Sequence, residues 1–139
     1  MPELKPDGKP PIKVLLVEPE AMLRRTVALT ARSLGMAEVY EAASTAAGQR
    51  MLYERAFQGA VIAVDCAGSG EPVDMTLLDE VRKGGTASDR AMPIAVLAGQ
   101  CSADFLQALR QREIRRVILK PFRAKLLLEA FAELAAAKK

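Results

Sequence analysis

From Lys13 onward, short apolar runs alternate with segments of helical periodicity. Val14-Leu15-Leu16-Val17 is apolar without interruption and lies between Pro11 and Pro19, the pattern of a strand buried on both faces. Ala21 to Leu34 then sets Met22, Val27 and Leu34 among Arg24, Arg25 and Arg32, which predicts an amphipathic helix closed by Gly35. Ala37 to Tyr40 reads as a second strand. Ser44 stands where it can cap a helix running to Arg55, with Met51 and Leu52 turned inward. Ala60 to Val64 is a third buried strand and ends against Asp65. A Gly-rich loop, Cys66 to Pro72, leads to a short helix over Met75 to Val81 and a polar loop over Lys83 to Met92. Pro93 opens a fourth strand, Ile94 to Leu97, and Ser102 caps a helix with Phe105, Leu106 and Leu109 on its inner face. Val117 to Leu119 is the fifth strand. The last helix, Arg123 to Ala137, carries Leu126, Leu127, Ala130, Phe131 and Leu134 as its apolar stripe.

Five strands alternating with five helices predict an α/β fold: a doubly wound, five-stranded parallel sheet with helices on both faces. Residues 1–11, with four prolines, are expected to form a flexible lead-in, and 12–139 a single domain. Leu15, Val17, Ile62, Val64, Val96 and Ile118 are the expected sheet core. Sheets of this kind hold ligands at the carboxyl ends of the strands, where strand order reverses. That singles out Glu18, Glu20, Asp65, Ala98 and Lys120.

Composition narrows the chemistry. No His is present, which removes His-based triads and the commonest metal ligand. With no Gly-rich phosphate loop either, the chain reads as a binding protein rather than an enzyme. Two cysteines, Cys66 and Cys101, do not make a disulfide framework; they are either small buried filler or thiols tuned by the nearby Lys120. No apolar run reaches membrane-spanning length, and the polar start lacks a signal-peptide centre, so a cytoplasmic protein is expected. A net charge of +3 does not by itself argue for nucleic acid.

Four short segments stand at predicted strand ends: Val17-Glu18-Pro19-Glu20, Val64-Asp65, Leu97-Ala98-Gly99 and Leu119-Lys120-Pro121-Phe122. With them, the sequence from Lys13 to Leu134 resembles the response-regulator receiver domains of the CheY type. The resemblance implies a flavodoxin/CheY-like fold with Asp65 as phospho-acceptor. It implies Glu18, Glu20 and Asp65 as ligands of Mg²⁺, Lys120 as the phosphate contact, and a cis peptide before Pro121. The residue types suit phosphoryl transfer, since a carboxylate can take a phosphoryl group, a hard cation offsets its charge, and an ammonium binds a phosphate oxygen. The function implied is that of a stand-alone response regulator in two-component signal transduction. Its partners would be a histidine kinase or phosphotransfer protein and a downstream protein target, with no direct DNA binding.

Three positions depart from the receiver pattern. Pro19 replaces the second acid of the pair, Ala98 replaces the Thr or Ser after the fourth strand, and Val117 replaces the aromatic of the fifth. A weakened Mg²⁺ site follows, since Mg²⁺ demands near-ideal octahedral geometry, and both halves of the usual relay are missing. The alternative reading is a pseudo-receiver that works without phosphate. Arg110, Arg112, Arg115 and Arg116, with Arg123, crowd the region around the fifth strand. They form a solvated face, a protein interface or an anion site for a cyclic dinucleotide. By resemblance, the face of the fourth helix, fifth strand and fifth helix is also where a homodimer would form.

Overall fold

The computed structural model describes residues 11–64, 74–100, 102–114 and 116–136. In chain order the elements are β1 (Ile12–Val17), α1 (Ala21–Ser33), β2 (Ala37–Ala42), α2 (Thr45–Glu54) and β3 (Gly59–Ala63). There follow α3 (Thr76–Lys83), β4 (Ile94–Ala98), α4 (Ala103–Gln111), β5 (Arg116–Leu119) and α5 (Ala124–Ala136). The strands form one parallel sheet in the order β2-β1-β3-β4-β5. Each predicted strand and helix is present, with no end shifted by more than two residues.

The central strands are buried on both faces, and their alternation divides the core in two. Leu15, Val17, Ile62, Val64 and Val96 face α2, α3 and α4 and pack with Leu52, Leu78 and Phe105. Val14, Leu16, Val61, Leu97 and Ile118 face α1 and α5 and pack with Val27, Ala31, Leu127 and Phe131. All six expected core residues are buried. Helix α2 lies close on β1 at Gly48, where an added Cβ would stand 2.8 Å from Val17 Cγ2, so only glycine fits without a shift.

Local signals explain the helix ends. Ser44 Oγ accepts from the Ala47 N–H at 3.1 Å and Ser102 Oγ from the Phe105 N–H at 3.0 Å, both as N-caps. Gly35, past the end of α1, has φ +64°, the left-handed conformation that terminates helices.

Some apolar residues lie elsewhere than the periodicity predicts. Met22 and Leu34 are exposed, at 78% and 53%, because the buried stripe of α1 is Val27, Ala28 and Ala31. Leu126 is 40% exposed beside the buried Leu127. Among the described residues, no helix is long and apolar enough to cross a membrane.

Candidate functional site at the carboxyl end of the sheet

Strand order reverses between β1 and β3, because β2 lies on one side of β1 and β3, β4 and β5 on the other. Backbone bonds carry the sheet past the formal strand ends. The Glu18 N–H donates to the Ala42 carbonyl at 3.1 Å, Val64 to Leu97 at 2.9 Å and Lys120 to Ala98 at 2.8 Å. The residues at the floor of the cleft are thus held by the ladder. Val64 immediately precedes Asp65, which, with Cys66, Cys101 and Arg115, lies outside the described residues, as does the lead-in through residue 10.

Glu18 is 1% exposed, so its charge requires a partner. Its Oε1 lies 2.7 Å from Lys120 Nζ and makes no hydrogen bond besides that ion pair. Its Oε2 accepts from the Glu20 N–H at 2.9 Å, and its carbonyl accepts from Arg24 Nη1 at 2.9 Å. Lys120 reaches this carboxylate from the β5–α5 turn, where the Lys120–Pro121 peptide is cis, as the resemblance implies.

Glu20 is the N-cap of α1. Its carboxylate accepts from the N–H groups of Met22 at 3.2 Å and Leu23 at 2.8 Å. The helix has no acid in its first turn, so this side chain alone answers the N-terminal N–H groups there with charge. A cavity of about 340 Å³ opens beside the pair, lined by Glu20, Leu23, Lys120, Pro121 and Phe122. Ala98 is wholly buried at the end of β4 and offers no hydroxyl. Val117 packs into the core on the α2–α4 side.

Of the three carboxylates expected to hold Mg²⁺, Glu18 and Glu20 are described, and each already has partners. One is held by an ammonium and a backbone N–H, the other by a helix terminus. Among the described residues no group of three or more acidic or Cys side chains is placed to hold a metal.

The structure does not bring the described arginines together. Arg112 turns toward α3, with Nε 2.6 Å from Asp79 Oδ1 and Nη1 donating to the Ala108 carbonyl at 2.8 Å. Arg116 turns to the opposite face and grips α5, with Nε 2.8 Å from Glu133 Oε1 and Nη1 3.6 Å from Glu129. The hydrogen bond to the Glu133 carboxylate raises the Arg116 pKa, so its charge is met locally. Arg110 is exposed on α4.

One residue without a signal in the sequence makes four side-chain hydrogen bonds. Arg82, on α3, donates Nε to the Arg112 carbonyl at 2.7 Å and Nη2 to that of Glu113 at 3.2 Å. Its Nη1 donates to the carbonyls of Arg90 and Met92, each at 2.8 Å. It ties α3 to the α3–β4 loop and the α4–β5 turn. These four acceptors are main-chain oxygens, which no side-chain pattern announces.

Solved structures match this architecture over nearly the whole chain. The chemotaxis protein CheY4 of Vibrio cholerae superposes with a TM-score of 0.75 at 21% identity, over 89% of this chain and 98% of that one. This chain has the receiver fold. The non-phosphorylated HemR receiver domain of Leptospira biflexa gives 0.75 at 19% identity, over 92% and 97%. The isolated receiver domain of RcsB from Salmonella enterica, solved with the phosphomimetic BeF₃⁻, gives 0.74 at 17% identity, over 93% and 91%. No protein-family model and no curated protein matches the sequence. The receiver fold puts Glu18 and Lys120 in contact at the reversal point, with Val64 two strands from β5 in the same floor.

Proposed function

We propose that this chain is a receiver domain of two-component signal transduction that accepts a phosphoryl group on Asp65 and acts by regulated protein binding, without turnover of a metabolite. The observation that carries the reading is the Glu18–Lys120 contact at the carboxyl end of the sheet, on either side of the strand that leads into Asp65. An Asp65 carboxylate oxygen would attack the phosphorus of a phosphohistidine on a histidine kinase or phosphotransfer protein. The new P–O bond forms as the P–N bond breaks, and the imidazole leaves with the electron pair and takes up a proton. Lys120 would bind a phosphoryl oxygen as a point charge, which requires it to loosen its hold on Glu18. Mg²⁺, if bound, would offset phosphoryl charge, and its binding would be weak. Leu119 on edge strand β5 and Leu126 on α5, exposed at 48% and 40%, offer apolar surface for a downstream target or a second copy.

A specific observation favours a second reading, a pseudo-receiver that binds partners without phosphate. Glu18 is already neutralised by Lys120, Glu20 is engaged as a cap, and Ala98 supplies a methyl group where a hydroxyl would contact the phosphoryl group. Beryllofluoride with Mg²⁺, followed by amide chemical shifts, separates the two. The first reading expects shifts at Glu18, Ala98 and Lys120 that vanish in Asp65→Asn. An unresponsive wild-type spectrum overturns it and leaves the pseudo-receiver.

A further inference from the structure

The amino end of the sheet, opposite the Glu18–Lys120 pair, holds a second cavity of about 490 Å³ between α3, the α3–β4 loop and the end of α4. Four cations line it, Arg82, Lys83, Arg90 and Arg112, against two acids, Asp79 and Glu113. Two helices end here, α3 at Lys83 and α4 at Gln111. Their terminal carbonyls would ordinarily make such a site negative and repel an anion. In this molecule guanidiniums cover carbonyls of the α3–β4 loop and of the end of α4. Arg82 takes those of Arg90, Met92, Arg112 and Glu113, and Arg112 takes that of Ala108.

Stitching the turns accounts for Arg82 and Arg112. It does not account for Lys83 and Arg90, which are exposed at the rim of the same cavity. The Arg90 side chain lies over Gly84, whose added Cβ would sit 3.7 Å from Arg90 Cβ, and that places its stem along the cavity edge. Cavities of several hundred cubic ångströms match small organic ligands rather than a bare ion. Guanidinium forks and an ammonium are the donors that select phosphoryl oxygens.

The geometry points to a binding site for a phosphorylated small molecule of nucleotide size, held by Lys83 and Arg90 over the carbonyl-capping Arg82. The site is separate from the Asp65 cleft and stands whether or not Asp65 is phosphorylated.

The test is calorimetric titration with pyrophosphate and with adenosine and guanosine diphosphates in metal-free buffer, with amide shifts to locate the contact. The expected result is saturable binding, with shifts confined to Lys83, Arg90, Ala91 and Gln111 to Glu113. The double variant Lys83→Ala/Arg90→Ala should bind about tenfold more weakly or worse, with an unchanged melting temperature. A charge-matched control, Arg25→Ala/Arg50→Ala, removes two exposed cations elsewhere and should bind as wild type. Tighter binding of a diphosphate than of pyrophosphate adds the base to the recognised groups; equal binding assigns recognition to the phosphates. No saturation by about 5 mM of any of the three probes, a millimolar range in which even weak sites fill, overturns the site. So do shifts centred elsewhere, or equal losses in the two double variants.

Discussion

At the carboxyl end of the sheet one ammonium meets one carboxylate, Lys120 against a Glu18 that is almost wholly buried. At the amino end Arg82 meets four carbonyl oxygens, while Arg112 shares Asp79 in a half-exposed pair. The first arrangement matches charge with charge in a low-dielectric place, so either partner without the other is costly. The second sets one guanidinium against four main-chain dipoles, and any one of those bonds can fail while the others hold. The cleft end is therefore suited to all-or-none rearrangement when a new anion competes for Lys120. The other end is suited to holding three segments in fixed relation.

The largest expected effect breaks the carboxyl-end pair. Lys120→Met leaves the Glu18 carboxylate buried and uncompensated and should lower stability by about 3 kcal/mol. Adding Glu18→Gln to it should restore most of that loss, because the stranded charge is gone. Denaturant unfolding of the two single variants and the double one measures the coupling; additive losses would show that the two groups do not depend on each other. Next comes Arg82→Ala, which removes charge-assisted bonds from four carbonyls and should cost about 2 kcal/mol. A loss under about half a kcal/mol would make this residue an ordinary surface arginine. The smallest effect is Asp79→Asn: the Asp79 side chain is 46% exposed, and an exposed ion pair contributes about half a kcal/mol. If thermal unfolding shows a loss as large as that of Arg82→Ala, the amino end depends on charge pairing after all and the contrast between the two ends collapses.

The fold was legible because its strands are short apolar runs between breakers, and burial on both faces leaves such runs little choice of conformation. Val14 to Val17 and Ala60 to Val64 show this directly, each resting in the sheet with neighbours on either side. The helix faces were read less well. Met22 and Leu34 are large and apolar yet exposed, since Val27, Ala28 and Ala31 take the inner positions of α1.

At the site, Glu18 and Lys120 were found from strand-end placement, and they touch. Glu20 lies beside them, its N–H on Glu18 Oε2, and its carboxylate also caps α1, a role that Pro19 between the two acids does not reveal. The arginine cluster was close in sequence and divided in space. Arg112 ends a helix on one face of the sheet, and Arg116 sits in a strand whose alternation sends it to the other. Arg82 was invisible to side-chain patterning, because main-chain acceptors leave no mark in a sequence.

The three backbone bonds that extend the sheet beneath the cleft, from Glu18, Val64 and Lys120, set how slowly that region opens. Amide protons in central ladders exchange with solvent only in the rarest, most global openings, whereas helix ends and loops exchange through local fraying. The amides of Val64 and Glu18, each bonded to a neighbouring strand, should therefore be among the slowest to take up deuterium. A signal generated above them would act on a platform that persists while the surrounding helices breathe.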